Sequence, residues 1–174
     1  MSNPFFKNTG PCDINYLLDS INLKDQKFSN EKIKNIKDLS SAQNGEMSFF
    51  HSKKYNDLAK ITKASFCLTT ENLQSILPST CKAIVSNNVL LHTAQITKIF
   101  YPDSVYDDFD DTAEDISKTE HSSKVKFGKN VLIGQNVKIG TNCKIGHNSI
   151  IEKNVFIGDN CIIGSNVIIR NSLI

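Results

Sequence analysis

The sequence predicts an α/β domain followed by a left-handed parallel β-helix. Three observations lead to this prediction: short apolar segments of mixed periodicity before residue 107, an acidic stretch after it, and a six-residue repeat that begins at Phe127. Together they divide the chain into an α/β domain over residues 1–106, an acidic linker over residues 107–120 and the start of the β-helix over residues 121–174.

Composition narrows the class of protein before any motif is considered. The 174 residues contain 20 basic and 18 acidic side chains, which excludes the strong basic excess of a dedicated nucleic-acid-binding protein. No run of 18 apolar residues occurs, so no membrane-spanning helix is predicted, and the opening residues lack the apolar region of a secretory signal. The five cysteines form no CxxC pair, which predicts free thiols, no metal site and a cytoplasmic location.

The first domain shows local signals for helices and strands. We predict a helix over residues 13–21, strands over residues 64–68 and 83–85, and a helix over residues 89–100. Asp13 and Asn88 immediately precede the two helical patterns and are expected to act as their N-caps. Helices and strands around one small core indicate a compact α/β domain.

The acidic stretch separates two regions of different character. Residues 107–120 carry seven acidic side chains and one lysine, and five of these residues form the run Asp107-Asp108-Phe109-Asp110-Asp111. Their spacing does not match a cation-binding loop. The stretch is therefore expected to be a solvated linker.

The six-residue repeat is the strongest signal in the chain. Eight units from Phe127 to Ile174 each begin with a large apolar residue, have Gly in second place in six units and Asn in fourth place in seven. This period is typical of a parallel β-helix rather than of an α-helix. Gly and Asn are the residues that adopt left-handed backbone conformations at least cost, which would explain both positions.

Three units per coil would stack residues that are 18 apart. Two inner columns are then Phe127–Ile145–Ile163 and Ile133–Ile151–Ile169, and Ile139 and Ile157 begin a third. Cys143 and Cys161 share a further column and are expected to be buried, reduced thiols. With a degenerate unit at His121, about three coils are predicted. Because the repeat is interrupted at Ile174 without a polar cap, the chain is expected to be the N-terminal portion of a longer protein or a truncated gene product.

Two segments of the first domain carry a resemblance to a known family. Residues 41–55, SAQNGEMSFFHSKKY, and residues 87–102, NNVLLHTAQITKIFYP, precede the repeats in the same order as in UDP-3-O-acylglucosamine N-acyltransferase of lipid A biosynthesis, which the chain resembles. The resemblance implies a cytoplasmic homotrimer without a cofactor. It would transfer a 3-hydroxyacyl chain from acyl carrier protein to the 2-amino group of a UDP-linked sugar. A neutral histidine would act as the general base, and backbone N–H groups would stabilise the oxyanion.

The same resemblance implies a uridine site in the first domain. The uracil would lie between Phe49 and Tyr55. Ser52, at the position where the family usually has asparagine, would be the third uridine-binding residue and would supply the hydrogen bond to the base. On spacing alone, Phe49 would instead be strand core and Tyr55 the start of a helix packed on that core. Lys53 and Lys54 could offset the diphosphate charge, or could simply be surface lysines.

The chain offers one histidine in a His-Asn pair on the repeats. His147 precedes Asn148, but the family places its general base on later coils, beyond residue 174, so no catalytic residue is predicted within this chain and His147 is expected to be structural. His51 and His92 are likewise expected at the surface or in packing. An incomplete chain of this kind is predicted to be inactive.

Two other classes of protein remain open. A hexapeptide sugar acetyltransferase that uses acetyl-CoA would share the repeats but not the segment that contains Phe49 and Tyr55. A non-catalytic sugar-nucleotide-binding module would share both. Binding of coenzyme A in preference to UDP-sugars would favour the first of these alternatives.

Overall fold

The computed structural model describes residues 5–105, 108–116 and 124–174. These residues fall into two compact units, of which one is Phe6–Tyr106 and the other contains Asp107–Ile174. The predicted start of the array at His121 lies outside the described residues. In the part of the chain that the structure describes, no helix combines the length and the apolar character needed to cross a membrane.

The first unit is built on a three-stranded parallel sheet. Its elements are β1 (Cys12–Asp13), α1 (Ile14–Ser20), β2 (Lys32–Ile33), β3 (Met47–Phe50), α2 (Asn56–Lys60), β4 (Phe66–Thr69), β5 (Lys82–Val85) and α3 (Val89–Phe100). The sheet order is β3-β4-β5, with Phe49 opposite Leu68 and Leu68 opposite Ile84. Strands β1 and β2 form a separate antiparallel pair.

Both predicted helices of this unit are confirmed, together with their caps. The carboxylate of Asp13 accepts hydrogen bonds from the backbone N–H groups of Asn15 and Tyr16, at 2.8 and 3.3 Å. The side chain of Asn88 accepts one from the N–H of Leu91 at 3.2 Å. Each cap satisfies a backbone donor that has no partner within its helix, which is why these residue types mark helix starts in sequence.

The sheet separates two apolar clusters. Met47, Phe66 and Leu68 pack with α1 and α3 on one side, whereas Phe50 and Cys67 belong to a second cluster. Side chains alternate between the two faces of a strand, so adjacent residues of β3 serve different clusters. Phe49 packs against the α1 and α3 cluster but stays half-buried. This leaves part of its ring available at the surface.

The second unit is a parallel β-helix of two-residue strands. They are β7 (Lys126–Phe127), β8 (Leu132–Ile133), β9 (Lys138–Ile139), β10 (Lys144–Ile145), β11 (Ile150–Ile151), β12 (Phe156–Ile157), β13 (Ile162–Ile163) and β14 (Ile168–Ile169), preceded by β6 (Glu114–Asp115). The parallel sheet orders are β13-β10-β7, β14-β11-β8 and β12-β9. Ile145 pairs with both Phe127 and Ile163, which confirms the predicted 18-residue register.

The inner columns form the core of this unit. Ile133, Ile145, Ile151 and Ile157 are each at most 3% exposed. All five cysteines of the chain carry free thiols. Cys143 is buried within the coil core as predicted, whereas Cys161 is only partly buried, which differs from the prediction.

Asparagine in fourth place of the repeat adopts the predicted left-handed conformation. The seven asparagines from Asn130 to Asn166 have φ angles between 54° and 62°. Their amides also stack: the Nδ2 of Asn130 donates to the Oδ1 of Asn148 at 3.0 Å, and that of Asn148 donates to Asn166 at 3.3 Å. Asparagine tolerates this backbone and adds a ladder of side-chain hydrogen bonds, which glycine would not supply.

The explanation predicted for glycine in second place is wrong. The positive-φ residues of the array include none of its glycines. Instead, a Cβ on Gly128 would lie 2.6 Å from the backbone nitrogen of His147, and a Cβ on Gly146 would lie 2.4 Å from that of Ser165. Glycine is needed here because consecutive coils approach closely at this corner, not because of its own φ angle.

Residues 108–116 belong to the coil unit, which differs from the predicted solvated linker. Strand β6 pairs antiparallel with β8, and the Oγ1 of Thr112 accepts a hydrogen bond from the N–H of Gln135 at 3.1 Å. Asp110 is only 8% exposed, and its Oδ2 accepts a hydrogen bond from the N–H of Lys153 at 2.6 Å. The acidic composition of the segment gave no indication of these backbone partners.

Asp110 is expected to stabilise the coil unit in a pH-dependent way. Desolvation raises the pKa of Asp110, but hydrogen bonds from Thr112 and Lys153 outweigh it and leave the pKa below its ordinary value. Because the pKa is lower in the folded than in the unfolded chain, this stabilisation is present above pH ~4 and is lost as the pH falls through the folded-state value. Asp110→Ala should therefore cost about 1–3 kcal/mol in urea unfolding at pH 7 and clearly less at pH 3.

The matched control for this prediction is Asp111→Ala, which removes the neighbouring, exposed carboxylate. It should leave the free energy of unfolding within about 0.5 kcal/mol of the wild type. Equal losses for the two variants at pH 7 would show that the buried position of Asp110 does not matter.

Candidate functional site

The first unit contains a cavity of about 320 Å³ beside the end of β3. Its walls are formed by Asp38, Leu39, Phe49, His51, Tyr55 and Leu58. This set combines two aromatic rings and two leucines with one carboxylate and one imidazole. A small, mostly apolar cavity with few polar groups is typical of a site for a flat organic ligand.

Local sequence explains how three of these side chains come together. Phe49 lies in β3, and the chain leaves the sheet after Phe50. A 3-10 turn over Lys53–Tyr55 then leads directly into α2, which carries Leu58. The sharp turn returns Tyr55 and Leu58 to the side of the strand that exposes Phe49.

The rings of the cavity form a continuous series. The ring centroids of Phe49 and His51 are 6.4 Å apart with an interplanar angle of 21°, and those of His51 and Tyr55 are 5.8 Å apart at 49°. These separations lie within the usual range for interacting aromatic rings. The predicted pair, Phe49 and Tyr55, therefore lines one cavity, with the imidazole of His51 as the neighbour of both.

Ser52 has a different position from that of the two rings. Its Oγ accepts a hydrogen bond from the N–H of Lys54 at 3.4 Å and caps the 3-10 turn, and Ser52 is not among the cavity walls. Lys53 and Lys54 are exposed, and the Nζ of Lys54 lies 5.8 Å from the ring centroid of Tyr55. The structure thus brings Phe49 and Tyr55 together but leaves Ser52 outside the cavity.

Asp38 is the anionic wall of the cavity. Its carboxylate accepts hydrogen bonds from the hydroxyls of Ser40 and Ser41 and from their backbone N–H groups, at 2.9 and 3.1 Å. The hydroxyl of Ser40, and after it that of Ser41, lowers the pKa of Asp38 to about 2. A negative charge therefore faces the cavity at neutral pH.

Four of the cavity walls are not indicated as site residues by the sequence: Asp38, Leu39, His51 and Leu58. For His51 a signal was present, since it follows Phe49 by two positions and alternation places both on one face of an extended segment. Asp38 and Leu39 reach the cavity through the folded chain, and no spacing relates them to Phe49. Among the described residues, no group of three or more His, Cys, Asp or Glu side chains is arranged to hold a metal ion.

His147 takes part in the hydrogen bonds between coils. Its Nδ1 accepts a hydrogen bond from the N–H of Lys129 at 2.8 Å, and its own N–H donates to the Oγ of Ser165 at 3.0 Å. Asp159 has the same arrangement on another corner, where its carboxylate accepts from the N–H of Thr141 at 2.6 Å. Third-position side chains thus satisfy backbone donors of the preceding coil, and His147 is one of them.

Two family models match separate parts of the chain. Residues 30–99 match the family model described as UDP-3-O-(3-hydroxymyristoyl) glucosamine N-acyltransferase. Residues 124–158 and 142–172 match the model of the bacterial transferase hexapeptide. The cavity walls all lie within the first matched range.

Curated relatives agree with the family models. The chain is 30% identical over 94 residues to UDP-3-O-acylglucosamine N-acyltransferases of Rickettsia rickettsii, strains Sheila Smith and Iowa. The match covers 53% of this chain and 25% of each relative, so the chain matches about a quarter of the length of these relatives. The chain is therefore similar to UDP-3-O-acylglucosamine N-acyltransferases in its first part and carries a bacterial transferase hexapeptide array in its second.

Proposed function

We propose that the chain is the nucleotide-binding portion of an N-acyltransferase of lipid A biosynthesis. The cavity would hold the uridine end of a UDP-linked, 3-O-acylated glucosamine, whose 2-amino group receives a 3-hydroxyacyl chain from acyl carrier protein. The observation that carries the proposal is that Phe49 and Tyr55, the pair implied by the family resemblance, line one cavity within the part that matches the family model. Both rings offer flat apolar faces for a pyrimidine.

His147 is proposed to have no catalytic role. A general base needs an unprotonated nitrogen whose lone pair is free. The Nδ1 lone pair of His147 faces the N–H of Lys129 at 2.8 Å, so in the neutral ring the proton resides on Nε2. The general base of the whole enzyme is proposed to lie outside residues 1–174, and these residues alone are proposed to be inactive.

The coil unit is proposed to wind left-handed and to assemble as a homotrimer. In the three parallel strands β8, β11 and β14, the outward position is apolar and is occupied by Leu132, Ile150 and Ile168; Ile168 is 59% exposed. An apolar stripe on the outside of a β-helix supports association with another protein surface.

We also propose a cytoplasmic location, because free cysteines are typical of proteins in a reducing compartment.

Removal of either ring is expected to weaken nucleotide binding. Base–aromatic stacking contributes about 1–3 kcal/mol per base, so Phe49→Ala or Tyr55→Ala should weaken UMP binding about tenfold or more. Calorimetric titration of the full chain with UMP, UDP-N-acetylglucosamine and coenzyme A measures this directly. Tyr16→Ala is the control, because Tyr16 is 58% exposed in the same unit and is not a cavity wall.

Two results would contradict the proposal. If coenzyme A bound more tightly than the uridine nucleotides, the chain would belong with the acetyl-CoA-dependent hexapeptide transferases. If Tyr16→Ala weakened UMP binding as much as Tyr55→Ala, the cavity would not be the nucleotide site.

A further inference from the structure

We propose that His51 is a specificity-determining residue of the cavity and accepts a hydrogen bond from the N3–H of the uracil base. The inference depends on the proposed binding of a uridine nucleotide and adds to it a partner for the edge of the base. Stacking on Phe49 and Tyr55 alone would tolerate any flat base, because every base has an aromatic face. Selection of one base requires a polar group at its edge.

The position of His51 relative to the rings is the first argument. Its imidazole is 6.4 Å from the ring centroid of Phe49 and 5.8 Å from that of Tyr55. Because all three rings line one cavity, a base held between Phe49 and Tyr55 would lie close to the imidazole. The side chain is exposed, and its ring nitrogens form no hydrogen bond within the described part of the chain. A neutral imidazole has one nitrogen that donates and one that accepts.

The other polar groups near the cavity already accept hydrogen bonds from within the chain. The carboxylate of Asp38 accepts from both the hydroxyl and the N–H of Ser40 and of Ser41. The hydroxyl of Ser52, at the position predicted to contact the base, accepts from the N–H of Lys54 instead and caps the turn. His51 thus presents an unoccupied acceptor directly before the residue that was expected to supply one.

The hydroxyl of Tyr55 is a competing polar group on the cavity wall. It stands at the far edge of a ring that is proposed to cover the face of the base, whereas the imidazole follows Phe49 on the same extended segment. The two can be separated by substitution, because Tyr55→Phe keeps the ring and removes only the hydroxyl, and His51→Phe keeps a ring and removes only the ring nitrogens.

The experiment compares UMP with its N3-methyl derivative, in which the donor is replaced by a methyl group. The wild-type chain should bind UMP about tenfold more tightly than N3-methyl-UMP, since the loss of the hydrogen bond and the added methyl group both weaken binding. His51→Phe should bind both ligands with nearly equal affinity. His51→Gln, which retains an acceptor, should preserve part of the preference, and Tyr55→Phe should preserve all of it.

Several results would overturn the inference. If His51→Phe kept the full preference for UMP, the imidazole would contribute only ring contact to the cavity wall and would not accept a hydrogen bond from the base. If Tyr55→Phe abolished the preference, the hydroxyl would be the partner. If the wild type bound no UMP at all, the proposed function would fail with it. In contrast, UMP binding that weakens in Phe49→Ala but keeps its N3 preference in His51→Phe would overturn only this inference.

Discussion

Ile145→Asp is expected to unfold the coil unit. Ile145 is 2% exposed and pairs with Phe127 on one side and Ile163 on the other, so its side chain lies in the middle of an inner column. The substitution removes a buried aliphatic side chain and places a carboxylate among apolar neighbours that offer it no partner. The loss should be about 3 kcal/mol or more, measured as the free energy of unfolding in urea.

The chain offers a control with the same chemical change. Ile162 lies in the paired strand β13, opposite Lys144, but its side chain is 74% exposed. Ile162→Asp should change stability by less than about 0.5 kcal/mol. Similar losses for both variants would mean that the inner and outer faces of the strands have been assigned incorrectly. Amide hydrogen exchange resolved by segment would show that the loss in Ile145→Asp is confined to the coil unit.

Two kinds of structural feature could be predicted from the sequence: those fixed by neighbouring residues, such as helix caps, and those fixed by the six-residue repeat, such as the register of the coils. The caps at Asp13 and Asn88 act within three residues of themselves, so their helices could be placed without knowledge of the rest of the chain. The register of the coils follows from the repeat, because shifting a two-residue strand by one position would turn its buried isoleucine outward. The asparagine corners follow from backbone sterics alone.

The features that were missed depend on contacts between distant segments. The hydrogen bond from Lys153 to Asp110 joins residues 43 apart, and a run of acidic residues gives no sign of it. Asp38 likewise lines the cavity only because the folded chain brings its segment next to that of Phe49 and Tyr55. Within the site, the pair Phe49 and Tyr55 is indicated by the family resemblance. His51 lies two positions after Phe49 and so on the same face of the extended segment, but only the folded cavity shows that its side chain is one of the walls.

Glycine in the repeat shows how a correct pattern can be explained by the wrong cause. The position of glycine in the repeat was predicted correctly, but its cause is the close approach of consecutive coils. A Cβ atom on Gly128 or Gly146 would collide with backbone atoms of the next coil. Two explanations make different predictions for substitution. If glycine were needed for a left-handed backbone, every glycine of the repeat would resist replacement equally. If it is needed for close approach, only glycines that face another coil should resist.

Gly146→Ala and Gly164→Ala decide between these explanations. Both glycines occupy second place in the repeat, 18 residues apart, and neither has a positive φ. A Cβ on Gly146 would lie 2.4 Å from the nitrogen of Ser165 and 2.5 Å from the carbonyl carbon of Gly164, which are backbone atoms that cannot rotate away. A Cβ on Gly164 would meet no atom nearer than the Cγ2 of Val167 at 3.8 Å.

Gly146→Ala is therefore expected to lower the stability of the coil unit by about 3 kcal/mol, because the coils must separate to admit the methyl group. In the 174-residue chain, Gly164→Ala should be neutral or stabilising by up to about 1 kcal/mol, because alanine restricts the unfolded chain without straining the folded one. Urea unfolding of the two variants measures the difference. Equal destabilisation by both would restore the conformational explanation, whereas a loss confined to Gly146→Ala would establish that the spacing between coils, and not the φ angle, fixes glycine at this position.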